Sequence, residues 1–347
     1  MNYTLIKKLP PIEDIIKAFP LSAKAQDKIH TDRQEINAIL EGKDNRFLMI
    51  VGPCSAWPID AVLEYAKRLV SLDKHLRNTL KIIMRVYIQK PRTTKGWTGP
   101  VNQPDVFSFP DVEAGMRYTR EMMVKVIEMG LPISDEALFT HNAKGFIELL
   151  SWVAIGARSA EDQEHRIFAS ALDCAVGLKN PTHGSLAIGV NSVIAAQHPH
   201  VVVFDRAEVQ THGNHHAHLV LRGADHKPNY SPSHLEEVMR LMKKHHIHNP
   251  SVVIDASHDN CIRDGKKNHN LQANIVLEII HFLEKRPDLR PLVKGFMIES
   301  FLKAGNQTVD EDNPCALDLG GLSITDPCLD WDSTEKFLLD LAKKGII

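Results

Sequence analysis

The 347-residue sequence has no strong excess of charge of either sign, since 41 Lys and Arg residues stand against 43 Asp and Glu residues. This balance argues against a dedicated nucleic-acid-binding protein, which usually carries a large basic excess. The sequence also has no apolar run that approaches the roughly eighteen residues of a membrane span, and its first residues form no apolar signal-peptide core. We therefore expect a cytoplasmic protein that binds neither nucleic acid nor a membrane.

Cysteine is scarce as well, and the five cysteines lie far apart, with no CxxC pair, at positions 54, 174, 261, 315 and 328. An odd, scattered set is typical of a reducing compartment rather than of a disulfide framework. The sequence also lacks the nucleotide-binding patterns GxGxxG and GxxxxGK[ST], the zinc-protease pattern HExxH and the hydrolase pattern GxSxG. Any catalytic site must therefore be built from residues that are distant in the sequence.

Short apolar runs recur along the chain and alternate with amphipathic segments of helical period. The runs are FLMIVG (47–52), KIIMRVY (81–87), LPISDE (131–136), WVAIGAR (152–158), AVGLK (175–179), HLVLRG (218–223), SVVIDAS (251–257) and GFMIES (295–300). Apolar runs without alternation are typical of strands buried on both faces, as in parallel sheets. Eight strand–helix units in about 300 residues predict an α/β fold, a (β/α)8 TIM barrel, with a doubly wound open sheet as the alternative.

The segments outside these units complete the predicted organisation. Residues 1–45 are polar and helix-like, and we interpret them as an N-terminal arm in front of a barrel catalytic domain that spans residues 46–347. The β-rich segment 201–210 has no helix partner and predicts a small added hairpin before the sixth strand. The pattern DSTEKFLLDLAKK predicts a last helix with Asp332 as its N-cap.

Charged side chains follow the ends of the predicted strands. In a barrel the loops at the carboxyl ends of the strands converge on one rim, where active sites lie. Cations at this rim would form a pocket for a multiply anionic ligand, because arginine and lysine pair with carboxylate and phosphate oxygens. They are Arg85, Lys90, Arg92, Arg158, Lys179 and Arg222. The alternative for each cation alone is a solvated surface charge without a task.

A second rim group combines a thiol, an imidazole and two carboxylates, from Cys54, His258, Glu299 and Asp326. This set suits a divalent transition metal of borderline softness, namely manganese, iron, cobalt, zinc or copper. The alternative is that Cys54 is a buried small hydrophobe and His258 a hydrogen-bonded core histidine. Two histidine-rich segments, 211–218 and 243–250, lie away from this rim in the predicted barrel, and we interpret both as solvated loops.

Several motifs resemble those of the type I DAHP (3-deoxy-D-arabino-heptulosonate 7-phosphate) synthases, the short, feedback-regulated branch. They are GPCS, MRVY followed by KPRTT, WVAIGAR, VGLKN, IDASHDN, MIESFL and SITDPC. The resemblance extends through almost the whole chain. It implies a (β/α)8 barrel that condenses phosphoenolpyruvate with erythrose 4-phosphate, the first step of the shikimate pathway to the aromatic amino acids. It also implies a homodimer or homotetramer.

The resemblance assigns roles to the rim residues. Phosphoenolpyruvate would be bound by Arg85, Lys90, Glu136, Arg158, Lys179 and Arg222, and the aldose phosphate by Arg92 and Thr93. A divalent metal ion, first Mn²⁺, with Fe²⁺, Co²⁺ or Zn²⁺ as alternatives, would be held by Cys54, His258, Glu299 and Asp326. The catalytic residues would be Lys90, Cys54 and His258. Lys90 would protonate the alkoxide that forms from the aldehyde when the two substrates condense.

Three short segments near the pocket mouth depart from the family pattern. They are Ala56-Trp57-Pro58 in place of Ile-His-Asp, Ser134-Asp135-Glu136 in place of Ala-Gly-Glu, and Pro181-Thr182-His183 in place of Gly-Thr-Asp. These differences leave two alternatives open: a paralogue that condenses phosphoenolpyruvate with another aldose phosphate, and a catalytically silent barrel that binds phosphoenolpyruvate. The hairpin at 201–210 is several residues shorter than in relatives, where it helps to bind the inhibitory aromatic amino acid. We therefore expect no ordinary feedback inhibition.

Overall fold

The structure is a computed structural model that describes residues 2–92, 96–138, 144–204, 206–309 and 316–344. Its strands are β1 (Phe47–Gly52), β2 (Leu80–Arg85), β3 (Ile133–Glu136), β4 (Trp152–Ile155), β5 (Ala175–Lys179), β6 (Val201–Phe204), β7 (Ala207–Gln210), β8 (His218–Leu221), β9 (Val252–Asp255), β10 (Ile262–Arg263), β11 (Lys266–Lys267) and β12 (Val293–Glu299). Its α-helices are α1 (Ile12–Ala18), α2 (Ala23–Leu40), α3 (Ile59–Leu76), α4 (Val112–Glu128), α5 (Gln163–Ser170), α6 (Leu186–Gln197), α7 (Pro232–Lys244), α8 (Gln272–Lys285) and α9 (Trp331–Lys343).

Eight of the strands form a closed parallel barrel in the order β1–β12–β9–β8–β5–β4–β3–β2, and β1 pairs with both β2 and β12. Each of the eight predicted apolar runs overlaps one of these strands, although β2 begins one residue and β12 two residues before its run. The TIM barrel prediction is therefore confirmed. The open doubly wound sheet is excluded, because such a sheet has two unpaired edges and this one has none.

Alternate strand residues build two layers of core, which explains the continuous apolar runs. In β1, Leu48 and Ile50 belong to the buried cluster inside the barrel. Met49 and Val51 belong to the larger cluster between the strands and the surrounding helices. A strand buried on both faces has no solvent side, so that none of its positions favours a polar residue.

Helix α2 closes the amino end of the barrel. Its Ile36, Ile39 and Leu40 lie in the same buried cluster as the inward-facing strand residues. The hydroxyl of Ser251, directly before β9, donates to the Leu40 carbonyl oxygen at 3.0 Å. The part of the chain that we predicted as an arm thus contains a helix that packs against the barrel interior.

The smaller elements agree with the sequence in part. Strands β6 and β7 pair antiparallel, so the predicted hairpin at 201–210 is confirmed. The β10–β11 hairpin was not predicted. The predicted N-cap of the last helix is wrong: α9 begins at Trp331, and the cap is Asp330, whose carboxylate accepts the Ser333 backbone N–H at 2.7 Å. Among the described residues no helix is both long and apolar enough to cross a membrane.

Candidate active site

A cavity of about 360 Å³ lies at the carboxyl ends of the barrel strands. The predicted site residues that line it are Cys54, Lys90, Arg92, Glu136, Arg158, Lys179, Arg222, His258 and Asp326. Arg85 and Glu299 are buried beside it without lining it, and Thr93 lies outside the described residues. The rule that strand ends converge on one rim therefore located most of this lining from the sequence.

Arg85 and Glu299 form a buried ion pair next to Cys54. Nη2 of Arg85 donates to Oε1 of Glu299 at 3.2 Å, and the guanidinium lies 4.0 Å from the ring centroid of Tyr87. Nη1 of Arg85 is buried and has no hydrogen-bond partner among the described residues. A buried donor without a partner is costly, so Nη1 is suited to an anionic ligand.

Lys90 and Cys54 are in direct contact at one wall of the cavity. Nζ of Lys90 donates to the Cys54 carbonyl oxygen at 2.7 Å and lies 3.2 Å from Sγ. Burial, followed by the charge of Glu299, raises the pKa of the Cys54 thiol, and the ammonium of Lys90 opposes that shift. Burial alone would lower the pKa of Lys90, but Cys54 and Glu136 outweigh it, so the amine is held in its charged form.

Three of the four predicted metal ligands come together. One ligand atom from each of Cys54, Glu299 and Asp326 lies within 4.8 Å of the others, the one such group among the described residues. His258 lines the same cavity but does not belong to that group; its Nδ1 lies 2.7 Å from the Ser257 hydroxyl oxygen. A thiol and two carboxylates supply donors that fit a borderline divalent metal ion, so this site can hold one.

Two further cations of the cavity, Lys179 and Arg222, are held by acidic partners. Nζ of Lys179 lies 3.5 Å from Oδ2 of Asp255, and Nη1 of Arg222 donates to Oδ2 of Asp259 at 2.9 Å. Burial would raise the pKa of Asp255, but His258 and Lys179 outweigh it and hold the pKa well below its ordinary value. The two cations are therefore positioned by the protein itself.

Asp135, in one of the divergent segments, supports the loop that carries Lys90. Its Oδ1 accepts the backbone N–H of Ile88 at 3.1 Å, two residues before Lys90. The side chain is buried, and burial raises the pKa of its carboxyl to about 7 against the ordinary 3.8. A buried acceptor that fixes the loop backbone also fixes the lysine that follows it.

Sequence reasoning missed several residues of the site. Lys267, on the unpredicted hairpin, donates to Oδ2 of Asp326 at 2.7 Å and to Oε2 of Glu299 at 3.3 Å. Asp259 holds Arg222, and Thr182 and Thr325 line the cavity. Asp259 could have been predicted as a site residue, because it directly follows His258 at the rim. The pair Lys266-Lys267, by contrast, has no pattern in the sequence that points to the site. Both histidine-rich segments lie away from the cavity; His218 begins β8 at its amino end.

Comparisons with known proteins agree with this geometry. The model of the DAHP synthetase I family matches residues 19–339. The Tyr-sensitive phospho-2-dehydro-3-deoxyheptonate aldolase of Salmonella typhimurium is 38% identical over 336 residues, which cover 95% of this chain and 91% of that protein. The Phe-sensitive protein of Escherichia coli is 37% identical over 342 residues, covering 97% and 94%. The solved structure of the phospho-2-dehydro-3-deoxyheptonate aldolase of Francisella tularensis matches with a TM-score of 0.91 at 37% identity, over 99% of this chain and 98% of that one.

A TIM barrel with a cationic cavity at its carboxyl rim, beside a thiol and two carboxylates, defines an enzyme that acts on a multiply anionic small molecule. The matched family model spans most of the chain, and the relatives align with it nearly from end to end. The chain belongs to the DAHP synthetase I family.

Proposed function

We propose that the chain condenses phosphoenolpyruvate with erythrose 4-phosphate to give DAHP and inorganic phosphate, the first step of aromatic biosynthesis. The observation that carries this proposal is the convergence, in one cavity, of a ring of cations with a thiol and carboxylates that can hold a metal ion. Relatives named phospho-2-dehydro-3-deoxyheptonate aldolase across nearly the whole chain support it. Both substrates are anionic, as the cavity requires.

Phosphoenolpyruvate is assigned to the deeper part of the cavity, where its phosphate and carboxylate would meet Lys90, Arg158, Lys179 and Arg222, with Glu136 alongside. Arg85, buried beside this part of the cavity, is assigned to the same substrate. The unpartnered Nη1 of Arg85 supports this assignment. Arg92 is exposed at the mouth and is assigned, together with Thr93, to the phosphate of the aldose. These contacts position the two reactants and balance their charge, which are the main contributions a protein makes to such a reaction.

In the proposed reaction, C3 of phosphoenolpyruvate forms a bond to the aldehyde carbon of erythrose 4-phosphate, and the aldehyde oxygen becomes an alkoxide. Lys90 protonates this alkoxide, since its ammonium lies in the cavity beside Cys54. Water adds to the electron-deficient C2 and gives up a proton, which restores Lys90. The bond between C2 and the phosphate oxygen then breaks, phosphate leaves, and C2 becomes the ketone of the product.

A divalent metal ion, first Mn²⁺, with Fe²⁺, Co²⁺ or Zn²⁺ as alternatives, would be held by Cys54, Glu299 and Asp326, with His258 as the fourth ligand. When bound, it supplies a Lewis acid that polarises the aldehyde. The chemistry of the donor set supports this assignment, because thiolate and imidazole bind such ions and carboxylates complete the charge balance.

The test is release of phosphate and formation of DAHP from the two substrates, measured separately with each of the four metal ions. We expect turnover with at least one ion, abolished by a chelator and restored by adding the ion back. A reaction without the aldose is the control, since phosphate release there would indicate simple hydrolysis. Absence of product with every ion would refute the proposal.

A second acceptor sugar is favoured by one observation: Thr182, within the divergent segment 181–183, lines the cavity. Comparing kcat/KM for four- and five-carbon aldose phosphates decides between the two acceptors, and a clear preference for the five-carbon sugar would replace erythrose 4-phosphate. The silent-barrel alternative is disfavoured by the preserved contact between Lys90 and Cys54. Turnover that is lost in both Lys90→Ala and Cys54→Ala would exclude it.

We also propose that the protein works as a homodimer or homotetramer in the cytoplasm. Large apolar side chains are exposed near the N-terminus and on the β6–β7 hairpin, with Ile6 at 93% and Val203 at 80% exposure, which is typical of surfaces that a second copy covers. The four cysteines that the structure describes are free thiols, as a reducing cytoplasm requires. Native mass spectrometry measures the oligomeric state, and a monomer at micromolar concentration would contradict the assembly.

A further inference from the structure

Lys267 lies in direct contact with two of the carboxylates that we assign to the metal ion. The β10–β11 hairpin follows His258 closely in sequence and carries this lysine back to the barrel rim. Its Nζ lies 2.7 Å from Oδ2 of Asp326 and 3.3 Å from Oε2 of Glu299. The neighbouring Lys266 on the same strand is exposed instead.

The metal-binding group is therefore already surrounded by cations of the chain itself. Lys90 contacts Sγ of Cys54, Arg85 donates to Glu299, and Lys267 bridges Glu299 to Asp326. Lys90 also lines the proposed substrate cavity, and Arg85 has a buried Nη1 without a partner among the described residues, whereas Lys267 does not line the cavity. Lys267 thus has no substrate-binding task that would explain its position.

A divalent ion held by the same carboxylates would lie close to the Lys267 ammonium and beside the fully buried carboxylate of Glu299. Two like charges repel more strongly near a buried group than in bulk water, so binding of the ion and retention of both lysine contacts oppose each other. Lysine has a flexible four-carbon stem, and this side chain is already 21% exposed, so it can withdraw toward solvent.

We propose that Lys267 is a built-in counter-cation that competes with the divalent metal ion for Glu299 and Asp326. It pairs with the two carboxylates when metal is scarce and lowers the affinity of the site for metal. This inference rests on the metal-dependent function proposed above, and it adds a residue that sets how much free metal the enzyme needs.

The test is metal affinity, measured on the full chain by competition with a fluorescent chelator for Mn²⁺ and for Zn²⁺. Lys267→Met removes the charge and keeps an unbranched apolar stem, and Lys266→Met is the matched control from the same hairpin. We expect Lys267→Met to bind each ion at least about tenfold more tightly, because one repelling charge is gone. The control is expected to match the wild type.

Thermal unfolding gives a second readout. The metal-free Lys267→Met protein should melt at a lower temperature than the metal-free wild type, because the buried carboxylate of Glu299 and the half-exposed carboxylate of Asp326 lose a partner. Its rise in Tm on adding metal should be larger than that of the wild type.

Equal or weaker metal affinity, or an equal or smaller rise in Tm, would overturn the competing role of Lys267. If the wild type still binds metal tightly, that outcome would overturn only the role of Lys267 and would not contradict the proposed function. No metal binding by any of the three proteins would overturn both proposals, whereas normal metal binding without product formation would refute only the proposed reaction.

Discussion

Lys90 is the residue on which the proposed chemistry depends most. Its amine is held in the charged form beside the thiol of Cys54, in the cavity where the alkoxide would form. We expect Lys90→Ala to lower kcat by about 10²- to 10⁴-fold, the usual contribution of a positioned proton donor. Lys67→Ala, on the exposed face of α3, is the control and should leave turnover unchanged. A Lys90→Ala protein that turns over normally would remove Lys90 from the mechanism.

Asp135 gives the stability of the protein a pH dependence whose sign can be worked out. Its carboxyl has a pKa of about 7 in the folded chain against 3.8 ordinarily, so the folded chain binds more protons between these values. The stability that the protonated Asp135 carboxyl contributes is therefore fully present below about pH 4, and it is lost as the pH rises through about 7. The loss is up to about 4 kcal/mol, because each pKa unit corresponds to about 1.4 kcal/mol.

Asp135→Asn keeps an oxygen that accepts the Ile88 N–H but cannot ionise. We expect urea unfolding to show that the variant gains stability relative to the wild type between about pH 4.5 and about pH 8. Asp135→Ala lacks the acceptor and should also raise KM or lower kcat, since Lys90 follows Ile88 in the same loop. A difference between wild type and Asp135→Asn that stays constant with pH would contradict the assignment.

The N-cap of helix α9 is determined by the side chain that accepts the free backbone N–H groups of its first turn. The carboxylate of Asp330 accepts the backbone N–H of Ser333 at 2.7 Å and its hydroxyl at 3.0 Å, whereas Asp332 lies inside the first turn. We expect Asp330→Ala to lower the free energy of unfolding by about 1 kcal/mol. Asp332→Ala should cost less than about 0.5 kcal/mol, because it loses only an interaction with the helix dipole. Chemical denaturation measures both, and the reverse order would restore the sequence-based cap.

The barrel strands could be predicted from the sequence, whereas the β10–β11 hairpin could not. The barrel strands were readable because runs such as FLMIVG are apolar at every position, and β1 is buried along its whole length. The β10–β11 hairpin has strands of two residues, too short for any periodicity. Lys267 could therefore not be placed from the sequence, although it meets Asp326 across 59 positions.

At the scale of the whole molecule, the strand order explains why most of the candidate site could be predicted. Parallel strands in a closed barrel bring every carboxyl end to one rim, so residues as distant as Cys54 and Asp326 meet. The rule does not say how deep each side chain lies. Arg85 is buried in an ion pair with Glu299, and Arg222 is held by Asp259, because such contacts depend on side-chain packing between distant segments.

The packing of α2 makes the barrel dependent on residues before its first strand. Ile36 is fully buried in the cluster inside the barrel, whereas Ile6 is 93% exposed. We expect Ile36→Ala to lower the free energy of unfolding by about 2–5 kcal/mol, the usual cost of a cavity in a core. Ile6→Ala is the matched control and should not change the free energy of unfolding of the monomer. Equal effects in urea unfolding would show that α2 does not support the barrel.

The closed amino end of the barrel also has a consequence for the order in which two substrates can enter the cavity. Since α2 packs against that end, the cavity opens at the carboxyl rim, where its lining residues lie. Lys179 is buried in the cavity, at 3% exposure, and Arg92 is exposed at its mouth. On the substrate assignment proposed above, the reactant bound at Lys179 would have to enter before the one bound at Arg92, because the second would lie across the entrance. The proposed assignment therefore predicts an ordered addition, in which the second reactant to enter lies at the only open end of the described cavity.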